Sequence, residues 1–128
     1  MKANYYYECK IYLGEIDSES YESISQLEID TFIGRTQEEY SKVIPVRVSK
    51  TKFISGTDYT ENGWEISAIT YPRIRTNKEE VKDFMGILAD GLLHEFNQSR
   101  ICIVDQDEIV MLENSNFISK GTKKDGAV

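Results

Sequence analysis

The sequence predicts an α+β domain: one antiparallel sheet with two helices on one of its faces. Three observations carry that expectation. Stretches of alternating polarity recur along the chain, two stretches of helical period separate them, and turn residues mark the junctions. The 128 residues suit a single domain, placed at 1–115, with a polar tail at 116–128.

Residues 5–16, "YYYECKIYLGEI", alternate, with Tyr7, Cys9, Ile11 and Leu13 on one parity and Tyr6, Glu8, Lys10 and Tyr12 on the other. That is a half-buried strand. Residues 23–44 follow a helical period through Ile29, Phe32, Ile33, Tyr40, Val43 and Ile44, with Ser25 as the N-cap. Gly34 interrupts this stripe, so one helix or two short ones fit it. Residues 45–55 and 64–74 form strands around the turn-rich 56–63, giving a long-looped hairpin. The helix over 77–96 is the clearest element. Val81, Phe84, Met85, Leu88, Leu92 and Phe96 keep the period, Asn77 and Glu80 match a capping box, and Asn97 ends it. "RICIV" and "EIVML", joined at "DQD", close the chain as a hairpin. The order is β-α-β-β-α-β with one extra C-terminal strand, the ferredoxin-like arrangement. This order hosts many functions and names none.

Composition narrows the function. Net charge is −7, with 22 Asp+Glu against 15 Lys+Arg, which argues against a polynucleotide partner held through its phosphates. No apolar run reaches the ~20 residues a membrane span needs, and the N-terminus lacks a secretory core. A cytoplasmic protein without membrane contact is expected. Cys9 and Cys102 sit inside strand-like runs and read as buried reduced thiols. With one histidine, His94, there is no zinc pattern, and no P-loop, GxGxxG, GxSxG or HExxH occurs. No cofactor and no catalytic set is expected, and the chain is read as not an enzyme.

Against this acidic background, "TYPRIRTNKEE" places Arg73 and Arg75 between a strand and a helix start. By strand parity the face left open by the helices carries Tyr6, Lys10, Tyr12, Arg47, Phe53, Ile69, Tyr71 and Arg73. Such an aromatic and basic face suits either a homodimer interface or a nucleotide platform, because tyrosine rings stack on bases and guanidinium groups fork onto phosphates. Candidate forks are Arg73, Arg75, Arg47 and Arg35. Candidate stacking rings are Tyr71, Phe53 and Trp64. The helix N-terminus at Asn77 offers free N–H groups beside Arg75, although Glu79 and Glu80 compete for them.

The pattern of residues 63–113, strand, arginines, helix and closing hairpin, resembles the phage-encoded Thoeris anti-defence sponges. That resemblance implies a non-catalytic homo-oligomer that sequesters a cyclic ADP-ribose-like immune signal in the host bacterial cytoplasm. Two other readings stand beside it: an acidic nucleic-acid mimic that blocks a basic protein, and a small ferredoxin-like enzyme.

Overall fold

The computed structural model describes residue 3 and residues 5–117. The tail expected at 116–128 lies almost wholly outside the described residues. The elements are β1 (Glu8–Gly14), α1 (Gln26–Glu39), β2 (Arg47–Ile54), β3 (Thr60–Ile69), α2 (Lys78–Glu95), β4 (Arg100–Asp105) and β5 (Ile109–Glu113). The strands form one antiparallel sheet in the order β2-β3-β1-β4-β5. The fold is therefore the ferredoxin-like α+β arrangement, with β5 added beyond β4. Among the described residues no helix is long and apolar enough to cross a membrane.

The alternation in β1 decides which face is covered. Cys9, Ile11 and Leu13 are buried, together with Trp64, Ile66 and Ala68 of β3. Helix α2 lies on this side and buries Val81, Phe84, Met85, Leu88, Ala89, Leu92 and Leu93. Each large apolar side chain so buried stabilises the fold by about 1.5–3 kcal/mol relative to exposure. Helix α1 buries Ile29 and Ile33 and packs on α2. The approach depends on Gly91: a Cβ there would lie 2.7 Å from the Phe32 ring. Phe32 meets Phe96 edge to face at 6.0 Å, and Tyr40 meets Phe84 at 5.2 Å.

Both helices start in capping boxes. Ser25 accepts from the Glu28 N–H, Asn77 accepts from the Glu80 N–H, and both glutamates return a bond to the cap backbone. Gly34 leaves α1 unbroken, so one helix forms, shorter than the 23–44 stripe. At the end of α2, Phe96 is the cap and Asn97 follows it with φ +50°, the left-handed turn that Asn tolerates.

The hairpin between β2 and β3 differs from expectation. Strand β3 begins at Thr60, so the loop is shorter than 56–63. It also ends at Ile69, well before residue 74. Thr70 is still tied to Tyr7, but Pro72 lies in a turn in which the Ile74 N–H donates to Tyr71 O at 3.0 Å. Proline has no N–H to continue the ladder, which accounts for the early stop.

Cys9 and Cys102 are both free and buried. Burial pushes the Cys9 thiol up to about 11. The β4–β5 turn is built on Asp105, whose Oδ1 accepts from the N–H groups of Asp107 and Glu108 at 2.8 and 2.9 Å.

Candidate functional site

The sheet face without helices is more acidic than parity alone suggested. In register order it carries Glu8, Lys10, Tyr12 and Gly14 from β1, Gly63, Glu65 and Ser67 from β3, and Arg47 and Phe53 from β2. Lys10 lies 3.8 Å from Glu65, and Arg47 lies 3.6 Å from Glu8. Burial raises the Tyr12 pKa, and the neighbouring Glu65 carboxylate adds to the shift.

A cleft of about 390 Å³ opens at the end of this face where β1 finishes and β3 begins. Gly14 and Gly63 stand opposite one another in its lining. A Cβ at Gly14 would lie 2.9 Å from Gln98 Oε1 and one at Gly63 2.5 Å from Leu13 O, so glycine at both positions permits this close packing of the lining. Tyr12 and Phe53 meet edge to face on one side at 5.3 Å. Glu15 and Glu61 contribute carboxylates, and Gln98, Ser99 and Arg100 also line it. Glu15 is engaged by Lys50 at 3.4 Å, and Glu61 accepts from the Tyr59 hydroxyl at 3.4 Å.

The wall is fixed by Gln98, which is 5% exposed. Its Oε1 accepts from the Gly14 N–H at 3.0 Å, and its Nε2 donates to Ile16 O and Phe96 O at 3.0 and 3.1 Å. One amide thereby ties the α2–β4 connection to the end of β1. Asp17 reinforces the link by accepting from Asn97 Nδ2 at 3.1 Å. Among the described residues no group of three or more His, Cys, Asp or Glu side chains is placed to hold a metal ion.

The residues expected to bind a ligand are scattered by this geometry. Phe53 is in the cleft, and Arg47 lies on the same face but pairs with Glu8. Trp64 is not a stacking platform: its position pairs with Leu13, and it is 3% exposed. Lys50 sits 4.9 Å over its ring. Arg35 belongs to the helix layer, with Glu95 at 3.8 Å and the Phe32 ring beneath its guanidinium. Tyr71, Arg73 and Arg75 have left the sheet, because β3 ends before them. Tyr71, Arg75 and Asn77 border a separate hollow of about 670 Å³ at the opposite end of β1. At this helix start the capping box takes up the Asn77 and Glu80 N–H groups, and Lys42 pairs with Glu80 at 2.8 Å. Reasoning from sequence missed Glu61, Gln98 and Arg100. Glu61 fell inside an expected turn, and nothing in the local sequence brings residues 98–100 to the end of β1.

No protein-family model matches the chain, and no curated protein matches it. Solved structures do match. The fold resembles that of phage SAM lyases. One, in the apo state, superposes with a TM-score of 0.65 at 10% identity, covering 84% of this chain and 89% of that one. Another, in complex with S-methyl-5'-thioadenosine, gives 0.64 at 12% identity, covering 88% and 93%. At this identity the likeness is one of fold.

It nonetheless corrects the functional expectation. Both neighbours are enzymes, so the reading as a non-catalytic sponge for a cyclic ADP-ribose-like signal is set aside, and with it the reading as not an enzyme.

Proposed function

We propose that this protein is a lyase acting on a sulfonium nucleoside of the S-adenosylmethionine type, with the Tyr12–Phe53–Glu61 cleft as its active site. One observation carries the reading. An aromatic pair and a carboxylate border a hollow of about 390 Å³ on a fold whose solved neighbour holds S-methyl-5'-thioadenosine. The volume lies in the range of small-molecule sites, about 300–1,000 Å³.

The chemistry asks little of the protein. A sulfonium is its own leaving group. As the carbon–sulfur bond on the amino-acid side breaks, its electron pair goes to sulfur and the substrate's own α-carboxylate closes onto the vacated carbon as a lactone, so neutral S-methyl-5'-thioadenosine leaves with no redox partner. What the site must supply is orientation, a π surface for the base and negative charge beside the cationic substrate. Tyr12 and Phe53 provide the surface, and Glu61 provides the charge. The same sheet face leaves Ile109 and Met111 of β5 exposed, which supports self-association as a homodimer or higher oligomer.

The test is direct. Purified protein is incubated with S-adenosylmethionine, and the products are separated by chromatography and weighed by mass spectrometry. Consumption of the substrate with appearance of S-methyl-5'-thioadenosine is expected. Glu61→Gln is expected to slow it by about 10²-fold, the scale of one lost electrostatic contact at a reacting centre. Unchanged substrate after prolonged incubation with folded protein would overturn the proposal. Native mass gives the oligomeric state.

A further inference from the structure

We infer that Arg100 reads the α-carboxylate of the substrate, which makes the cleft specific for sulfonium or thioether nucleosides that keep their amino-acid end. This rests on the lyase reading above and deepens it.

Charge carries the argument. Among the described residues lining the cleft, Arg100 is the one base, set against the carboxylates of Glu15 and Glu61. A ligand of the S-adenosylmethionine type brings a sulfonium, an ammonium and a carboxylate. Glu15 is engaged by Lys50, so the match is between the Glu61 carboxylate and a cationic centre of the ligand, and between the Arg100 guanidinium and its carboxylate. A thioadenosine without the amino-acid portion brings no anion, and so has nothing to place against Arg100.

Geometry supports the same assignment. Arg100 opens β4 and stands directly opposite Glu113 of β5. Its Nε lies 3.4 Å from Glu113 Oε2, and its side chain is 22% exposed. The contact to Glu113 runs through Nε, so the terminal Nη atoms form the edge of the fork that a carboxylate can meet. Gln98, two residues earlier, is locked to the β1 end and fixes the backbone from which Arg100 projects. Tyr12 and Arg100 stand on the neighbouring strands β1 and β4 and both line the cleft, so one ligand can meet the aromatic pair and the guanidinium together.

The experiment compares two stable probes by calorimetric titration: S-adenosylhomocysteine, which carries the carboxylate, and S-methyl-5'-thioadenosine, which lacks it. The wild-type chain is expected to bind both, the first more tightly. Arg100→Ala is expected to weaken S-adenosylhomocysteine by about 10- to 100-fold, the worth of a charged hydrogen-bonded contact, and to leave S-methyl-5'-thioadenosine unchanged. Arg100→Lys keeps the charge without the fork and is expected to fall between them; it also carries the test if the alanine variant does not fold. Equal weakening of both probes, or of neither, would overturn the assignment to Arg100 while leaving the lyase reading intact. Failure of the wild type to bind either probe would overturn both.

Discussion

Tyr12 and Phe53 meet at 5.3 Å although they stand on strands separated by β3. Tyr12 pairs with Glu65 and Phe53 with Glu61, and the residue midway between those two on β3 is Gly63. The two rings reach across the intervening strand and form one aromatic wall. Phe53→Ala removes half of that wall from a partly exposed position. It is expected to weaken S-methyl-5'-thioadenosine binding by about 1–3 kcal/mol, the worth of one stacked base. Thermal denaturation is expected to shift far less, and calorimetric titration gives the binding term.

Gly63 itself is the tighter constraint. A Cβ at that position would lie 2.5 Å from Leu13 O, inside any tolerable contact with backbone. Gly63→Ala is therefore expected to destabilise the protein by about 1–3 kcal/mol, as overpacking does, and to lower ligand affinity by moving β1 against β3. Chemical denaturation measures the first effect and titration of the surviving folded protein the second. Gly34, which meets nothing within 4 Å of its Cβ position, is the control. Gly34→Ala is expected to stabilise α1 by about 0.5–1 kcal/mol.

Acid should act through three carboxylates. Burial of Asp105 opposes its ionisation, yet the hydrogen bond from the Tyr7 hydroxyl at 2.6 Å and the N–H groups of Asp107 and Glu108 outweigh it, so its pKa is lowered. In Asp17, burial is likewise outweighed, by the N–H groups of Ser20 and Glu19 and by Asn97. The Lys42 hydrogen bond lowers Glu80, and the Asn77 N–H adds to it. A depressed carboxylate stabilises the fold above its unfolded pKa, about 3.9–4.3, and that gain is lost as pH falls through the folded value. Melting temperature is expected to hold from neutral pH down to about 5 and to drop below about 4. Tyr7→Phe is expected to be less stable at neutral pH and to lose less on acidification, so that the two melting curves converge. Parallel loss in both chains would show that the Tyr7–Asp105 bond does not set the acid limb.

Trp64 is buried, and its indole Nε1 has no hydrogen-bond partner. An unmet buried donor costs about 1–3 kcal/mol. Trp64→Phe discards that donor along with some packing, and the two effects oppose each other. Its stability is expected to stay within about 1 kcal/mol of the parent, whereas Trp64→Ala is expected to lose about 3–5 kcal/mol. Equilibrium unfolding in urea separates the cases.

The fold was legible because its signals are local. Alternation in 5–16, the apolar stripe of 77–96 and the Ser25 and Asn77 caps act within a few residues, and each formed as expected. The failures came from reading a local pattern too far. Parity carried past Pro72 put Arg73 on the sheet, where the missing N–H had already ended it. Trp64 was chosen for its ring, although its own parity placed it among the covered residues. The site was less legible because it is tertiary. Gly14 and Gly63 signify only as a pair, and Gln98 only beside them. No spacing in the chain announces either relationship.

The Gln98 amide joins segments 84 residues apart, and the cleft draws its other walls from β1, β2 and β3. No hairpin or helix of this chain owns a site by itself. A partly folded molecule, with one strand pair formed and β4 not yet docked, would have nowhere to hold a ligand. Occupancy therefore reports on completion of the sheet. A bound nucleoside should act as a folding agonist, raising the melting temperature with the logarithm of its concentration. Substitutions that loosen any of the four strands should erode binding before they are visible as lost secondary structure.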